Sequence, residues 1–249
     1  VGYQNLSGKW YMENWMIFVM EKQKNGDKYE GLPIKSVDPS AMGSDGILTI
    51  ALNLRGVEIL TDFYEDPDYV RKLFDFICEA DIKRIKAFRK RVNQPEKSDN
   101  FWFADDSIAN ISKEMFKEFV LPFHRKLMSE LTTNGKYNGM HLCGDATRHF
   151  KMIADEFGVK SFDTGFPVDF GWIRNELGEG IEICGGPNIS LLLNGSPSDV
   201  AKEAERILKS GIMKGGKFVL KEGNNLAPRT PMENIASMYE TCKKYGIYK

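Results

Sequence analysis

From Phe101 to Tyr239 the chain repeats one unit: a short apolar run, a polar stop, then a segment with apolar residues at helical spacing. The run at Phe101 ends in Asp105, Asp106 and Ser107, and Tyr137 to Cys143 ends in Gly144 and Asp145. Val159 to Asp163, Ile181 to Cys184 and Gly216 to Leu220 stop in the same manner. Between the runs, Phe116, Phe119, Val120, Phe123 and Leu127 fall on one helical face, as do Phe150, Ile153 and Phe157, and then Val200, Ala204, Ile207 and Leu208. Repeated strand–helix units need a parallel sheet, because parallel strands are joined by crossover helices. Polar residues gathered at strand C-termini predict a (β/α)8 TIM-type barrel, whose chemistry sits on that face. A doubly wound sheet is the alternative, but no G-x-G-x-x-G follows a strand. With no long linker and no second composition, residues 1–249 read as a single domain.

Local signals set the helix ends. Asp66 and Pro67 start a helix with Val70, Leu73, Phe74, Ile77, Ile82 and Ile85 inward, and its far end, Lys83 to Arg91, carries six Lys/Arg residues as a solvated, dipole-favoured face. Ser112 is a helix cap, Gly158 a helix stop, and Ser196-Pro-Ser-Asp199 and Thr230-Pro-Met-Glu233 are capping boxes. Glu13 to Gln23 reads as helix, Leu32 to Val37 as extended, and Ile47 to Leu54 as either a strand end or a buried helix. His124 reads as a packing or surface residue and His149 as a surface residue.

A formal charge of −1 gives no electrostatic reason to expect nucleic acid or a membrane surface. Four cysteines at scattered positions form no disulfide framework, which places the chain in a reducing cytoplasm. No apolar run approaches the ~18 residues of a membrane span. Val1 to Asn5 has neither the charged nor the apolar part of a signal peptide.

The chemistry centres on His141 and Cys143. Residues two apart on a strand share a face, so an imidazole and a thiol project side by side. That donor pair suits zinc better than magnesium or calcium; the plain alternative is a buried Cys beside a hydrogen-bonded His. As a ligand, His141 would donate its second ring N–H to an acceptor such as Asp145 or Asp163. Asp105 and Asp163, at strand ends, are candidates for proton transfer or substrate hydrogen bonding, Ser107 for substrate binding, and Asp106 for helix capping.

Trp102-Phe-Ala-Asp-Asp106, His141-Leu-Cys-Gly-Asp145, Gly186-Pro-Asn-Ile189 with Asn194 to Val200, and Leu226 to Ile235 occur in this order. Together they resemble the uroporphyrinogen decarboxylase superfamily, and within it the corrinoid-linked methyltransferases more than the decarboxylases. The resemblance runs from about Asp45 to Tyr239, and the chain begins inside the family pattern, lacking its arginine-rich opening. It implies a zinc-dependent methyltransferase moving a methyl group between a small methylated substrate (methoxy compound, amine or thiol) and a corrinoid carried by a partner protein. In the methyltransferases the loop after the last strand supplies a Cys as third zinc ligand, and in the decarboxylases a His; the matching residue here is Asn224. Glu222, two residues away, is therefore the expected third ligand, Cys184 its rival, and Asn224 a substrate hydrogen-bonding group. Loss of the Cys tilts the expectation toward O-demethylase chemistry rather than a thiol acceptor. The alternatives are a metal-free tetrapyrrole decarboxylase and a non-catalytic substrate-binding relative.

Overall fold

The structure, a computed structural model, describes residues 18–33, 44–99 and 101–248. Residues 18–24 are helical; the earlier part of the expected Glu13–Gln23 helix, and the extended stretch beyond Pro33, lie outside the described residues. A two-stranded antiparallel hairpin, β1 (Lys28–Tyr29) and β2 (Leu32–Pro33), follows.

The body of the chain is β3 (Ser44–Asp45), α1 (Ile47–Arg55), α2 (Ile59–Glu65), α3 (Pro67–Arg91), β4 (Trp102–Ala104), α4 (Leu121–Leu131), β5 (Gly139–Leu142), α5 (Thr147–Phe157), β6 (Ser161–Thr164), α6 (Phe170–Leu177), β7 (Glu182–Gly185), α7 (Ile189–Asn194), α8 (Pro197–Ile207), β8 (Phe218–Leu220) and α9 (Met232–Tyr245). The ambiguous Ile47–Leu54 run is thus helix, with Ile47, Leu48 and Ala51 fully buried. β3 to β8 form one sheet in chain order, every neighbouring pair parallel. A doubly wound sheet reverses its order at a switch point, whereas this one advances a strand at a time, as barrel winding does. Among the described residues the sheet does not close, and β3 and β8 are its edges.

Strand parity divides the sheet into two unlike faces. Phe103, Met140, Phe162, Ile183 and Phe218 are all buried in the apolar core. The residues of opposite parity, Ala104, His141, Asp163, Cys184 and Val219, stand in register across five strands. One face builds the core; the other presents a row of functional groups at the strand ends.

Side-chain caps fix several helix starts. Asp66 accepts from the Tyr69 N–H at 3.0 Å, Ser112 from Met115 N–H at 3.1 Å, and Ser196 and Asp199 form the reciprocal box. Gly158 ends α5 in the left-handed region at φ 57°. The Thr230 box does not form: α9 starts after Pro231, and the Thr230 hydroxyl donates to the Ala227 carbonyl at 2.7 Å. Arg89, in the basic end of α3, is likewise not solvated; it is buried and donates to the carbonyls of Glu96 and Leu131 at 2.6 and 2.7 Å. His149 is also buried, not on the surface. Its Nε2–H lies 2.9 Å from the Ile108 carbonyl and 3.2 Å from that of Ile111.

Candidate metal centre

His141 lies near the end of β5 and Cys143 just beyond it. Asp106, which opens the 3-10 turn Asp106–Asn110 after β4, completes a group with them. One ligand atom from each, an imidazole nitrogen, a thiol sulfur and a carboxylate oxygen, lies within 4.8 Å of the other two. All three residues are half-buried, open enough for a ligand and shielded enough to strengthen its interactions. The Cys143 N–H donates to Asp106 Oδ1 at 2.8 Å, tying the two loops together.

The two nitrogens of His141 have separate assignments. Nδ1 is 3.0 Å from Asp163 Oδ2, the neighbour in register on β6, while Nε2 faces Asp106 Oδ1 at 3.7 Å. The Asp163 pairing keeps a proton on Nδ1 and leaves Nε2 for a metal. The hydrogen bonds to Asp163 and then Cys143 push the imidazole up to about 10. Burial works to raise the Asp163 carboxyl, but the hydrogen bonds from His141 and Lys221 overcome it and hold the group below the usual carboxylate range. An N/S/O donor set whose imidazole is oriented by Asp163 fits zinc, by the chemistry of its atoms.

The remaining expected site residues are distributed by parity. Asp105 shares the inward face of Phe103 and is fully buried. Its Oδ1 accepts from the N–H and hydroxyl of Thr49 at 3.0 and 2.9 Å, and Oδ2 pairs with His124 Nε2 at 2.9 Å. Asp105 therefore serves as the N-terminal cap of α1 from a distant strand. Gly46, the residue before α1, has no side chain because a Cβ would fall inside that carboxylate. His124 is accordingly a buried packing residue.

Asp106, expected to cap a helix, instead continues the outward parity of Trp102 and Ala104 and so reaches the His141 side. That parity was the signal that distinguishes it from Asp105. Ser107 is half-buried, and its N–H donates to the Thr49 hydroxyl at 3.2 Å.

After β8, the Lys221 N–H continues the ladder to the Gly185 carbonyl at 3.0 Å. Lys221 therefore keeps the outward parity of Val219, and Glu222 does not. The structure does not bring Glu222 into the metal group; its Oε1 is 3.7 Å from Lys221 Nζ. Asn224 accepts from its neighbour's N–H at 2.9 Å. Cys184 stays with its own strand, its Sγ 3.7 Å from Glu182 Oε1, and burial pushes the thiol up to about 11.

Residues 41–245 match the family model described as uroporphyrinogen decarboxylase (URO-D). The chain belongs to the uroporphyrinogen decarboxylase family. Within that family it is 23% identical over 202 residues to the methylcobamide:CoM methyltransferase MtbA of Methanosarcina acetivorans, covering 80% of this chain and 56% of the relative. It is 27% identical over 205 residues to a methylated-thiol–coenzyme M methyltransferase of Methanosarcina mazei, covering 80% and 51%. A uroporphyrinogen decarboxylase from a Wolbachia strain is 24% identical over 144 residues, covering 57% of this chain and 40% of the relative. A solved methyltransferase from Methanosarcina mazei superposes with a TM-score of 0.66 at 20% identity, over 94% of this chain and 64% of that one, and shares the fold. The chain thus spans about half the length of the curated relatives it matches.

Proposed function

We propose that this family member is a metal-dependent methyltransferase, moving a methyl group between a small methylated substrate and a corrinoid carried by a partner protein. The observation that carries the reading is the Asp106–His141–Cys143 group, with His141 Nδ1 engaged by Asp163 so that Nε2 faces the other two donors. Asp106, His141 and Cys143 would hold zinc, with Asp106 in the place expected of Glu222. When bound, zinc supplies Lewis acidity, polarising a methylated heteroatom or lowering the pKa of an acceptor thiol.

The chain's own groups prepare that chemistry. Asp163 fixes the imidazole ring and its tautomer, and the Cys143 N–H fixes the Asp106 carboxylate. The half-buried placement limits water at the reacting atoms while leaving an approach for substrate. The methyltransferase names among the relatives support the reading, and the absence of a loop Cys at Asn224 supports a methoxylated substrate over a thiol. A cytoplasmic setting belongs to the same proposal; no helix among the described residues is long and apolar enough to cross a membrane.

Elemental analysis of the purified protein tests it. The expected result is about one zinc per chain, lost in His141→Ala and Cys143→Ser, reduced in Asp106→Asn and retained in Glu222→Ala. Protein that stays zinc-free when zinc is supplied, and turns over a tetrapyrrole carboxylate, would overturn the reading in favour of a decarboxylase.

A further inference from the structure

Lys221, the second partner of the Asp163 carboxylate, is not a metal ligand. It stands one residue past β8, and its backbone is held from two sides. Its N–H donates to the Gly185 carbonyl at 3.0 Å, and its own carbonyl packs where a Cβ on Gly186 would have to sit. Outward parity aims the side chain along the row that carries Cys184, Asp163 and His141. Nζ meets both oxygens of Asp163, at 3.0 and 3.1 Å, and the same carboxylate accepts His141 Nδ1–H at 3.0 Å. The three residues make a chain, ammonium to carboxylate to imidazole, across β8, β6 and β5.

A carboxylate gripped at both oxygens cannot turn about its own bond without breaking two charge-assisted hydrogen bonds. Held by His141 alone, Asp163 would be free to rotate and the imidazole would lose its fixed partner. We infer that Lys221 is a positioning residue for the metal centre: it locks Asp163, and through Asp163 it keeps the proton on His141 Nδ1. The segment after the last strand thus contributes to the site by a positive charge outside the ligand set, where a ligand from Glu222 was expected. The inference deepens the metal-centre reading, yet its core, an immobilised Nδ1–H, is a property of the protein before any metal binds.

The chain has only three histidines, His124, His141 and His149. Nitrogen NMR of histidine-labelled, metal-free protein can therefore follow each ring separately. In the unsubstituted protein His141 should give a Nδ1–H signal protected from solvent exchange. In Lys221→Met that proton should exchange on the order of tenfold faster, the equivalent of losing one hydrogen bond's net worth. Lys221→Arg, which restores a cation, should recover the protection. His124 and His149 are buried on other partners and serve as fold controls, so their signals should not move. If the Met variant disturbs all three rings, Lys221→Gln is read in its place.

Unchanged Nδ1–H exchange in a folded Lys221 variant would overturn the inference. Addition of zinc to the same samples separates this result from the previous proposal. A shift of His141 Nε2 reports metal binding, and failure of that shift sinks the metal centre while leaving the Lys221 result to stand or fall by the exchange rates.

Discussion

Protons and metal compete for one atom, His141 Nε2. Because its hydrogen bonds to Asp163 and Cys143 lift the metal-free imidazole to about 10, a proton must leave before a metal can bind. Metal affinity measured by competition with a chelator should therefore rise with pH, by about tenfold per unit from this proton alone, until it levels near that value. The same shift acts on stability with a definite sign. A group raised in the folded state contributes fully below its ordinary value of 6.5, and that contribution is lost as pH rises through about 10. Thermal melts of the metal-free protein should fall across that window, and His141→Ala should flatten the fall. His149 has the opposite sign: burial, then the nearby Arg148, pushes it down to about 4, so its contribution disappears as pH drops from 6.5 through that value. Removing the acceptor, in Asp163→Ala, should weaken metal affinity by about 10–100-fold, measured by the same competition. At this scale the sequence disclosed His141, Cys143 and the Asp163 partner, because a strand's two-residue period is visible in the residue order. It concealed the difference between Asp105 and Asp106, since which carboxylate faces the core depends on where β4 ends. Glu222 was reached by its two-residue spacing from Asn224, and the phase of β8 instead sets Lys221 against Asp163.

Among the elements, the loops after β6, β7 and β8 meet through their backbones. A Cβ on Gly165 would overlap the Gly223 carbonyl, and the Gly223 N–H donates to the Pro187 carbonyl at 2.9 Å. No side chain can yield there, because the obstacle is main chain. Gly165→Ala should lower stability by about 1–3 kcal/mol in urea denaturation, whereas Gly180→Ala, which meets open space, should change little. Helix starts were legible at Asp66, Ser112 and Ser196, where a polar side chain reaches its own helix, but the caps Asp169 and Asn188 were not read. Helix limits were not legible where the partner was remote. Thr230 has the right neighbours for a box, but the local turn supplies the Ala227 carbonyl first. Arg89 reads as one charge among six until the Glu96 and Leu131 carbonyls close around it.

For the molecule as a whole, the alternation of strands and helices was enough to specify parallel winding, and the chain-order sheet agrees. The proposed metal site draws Asp106 from the loop after β4 and its other two ligands from the end of β5, so zinc should stabilise the assembled sheet. At a hundred times the dissociation constant, linkage adds about 2.7 kcal/mol, a rise in melting temperature that Cys143→Ser should abolish. The cap of α1 carries a different consequence. Thr49 is served by Asp105, which lies 56 residues downstream. On a ribosome the beginning of α1 leaves the exit tunnel long before its acceptor has been polymerised. Nascent chains truncated ahead of Asp105 should leave that helix start frayed and open to proteases, and those extended past His124 should protect it. The order of translation thereby makes β4 the event that finishes a helix already made.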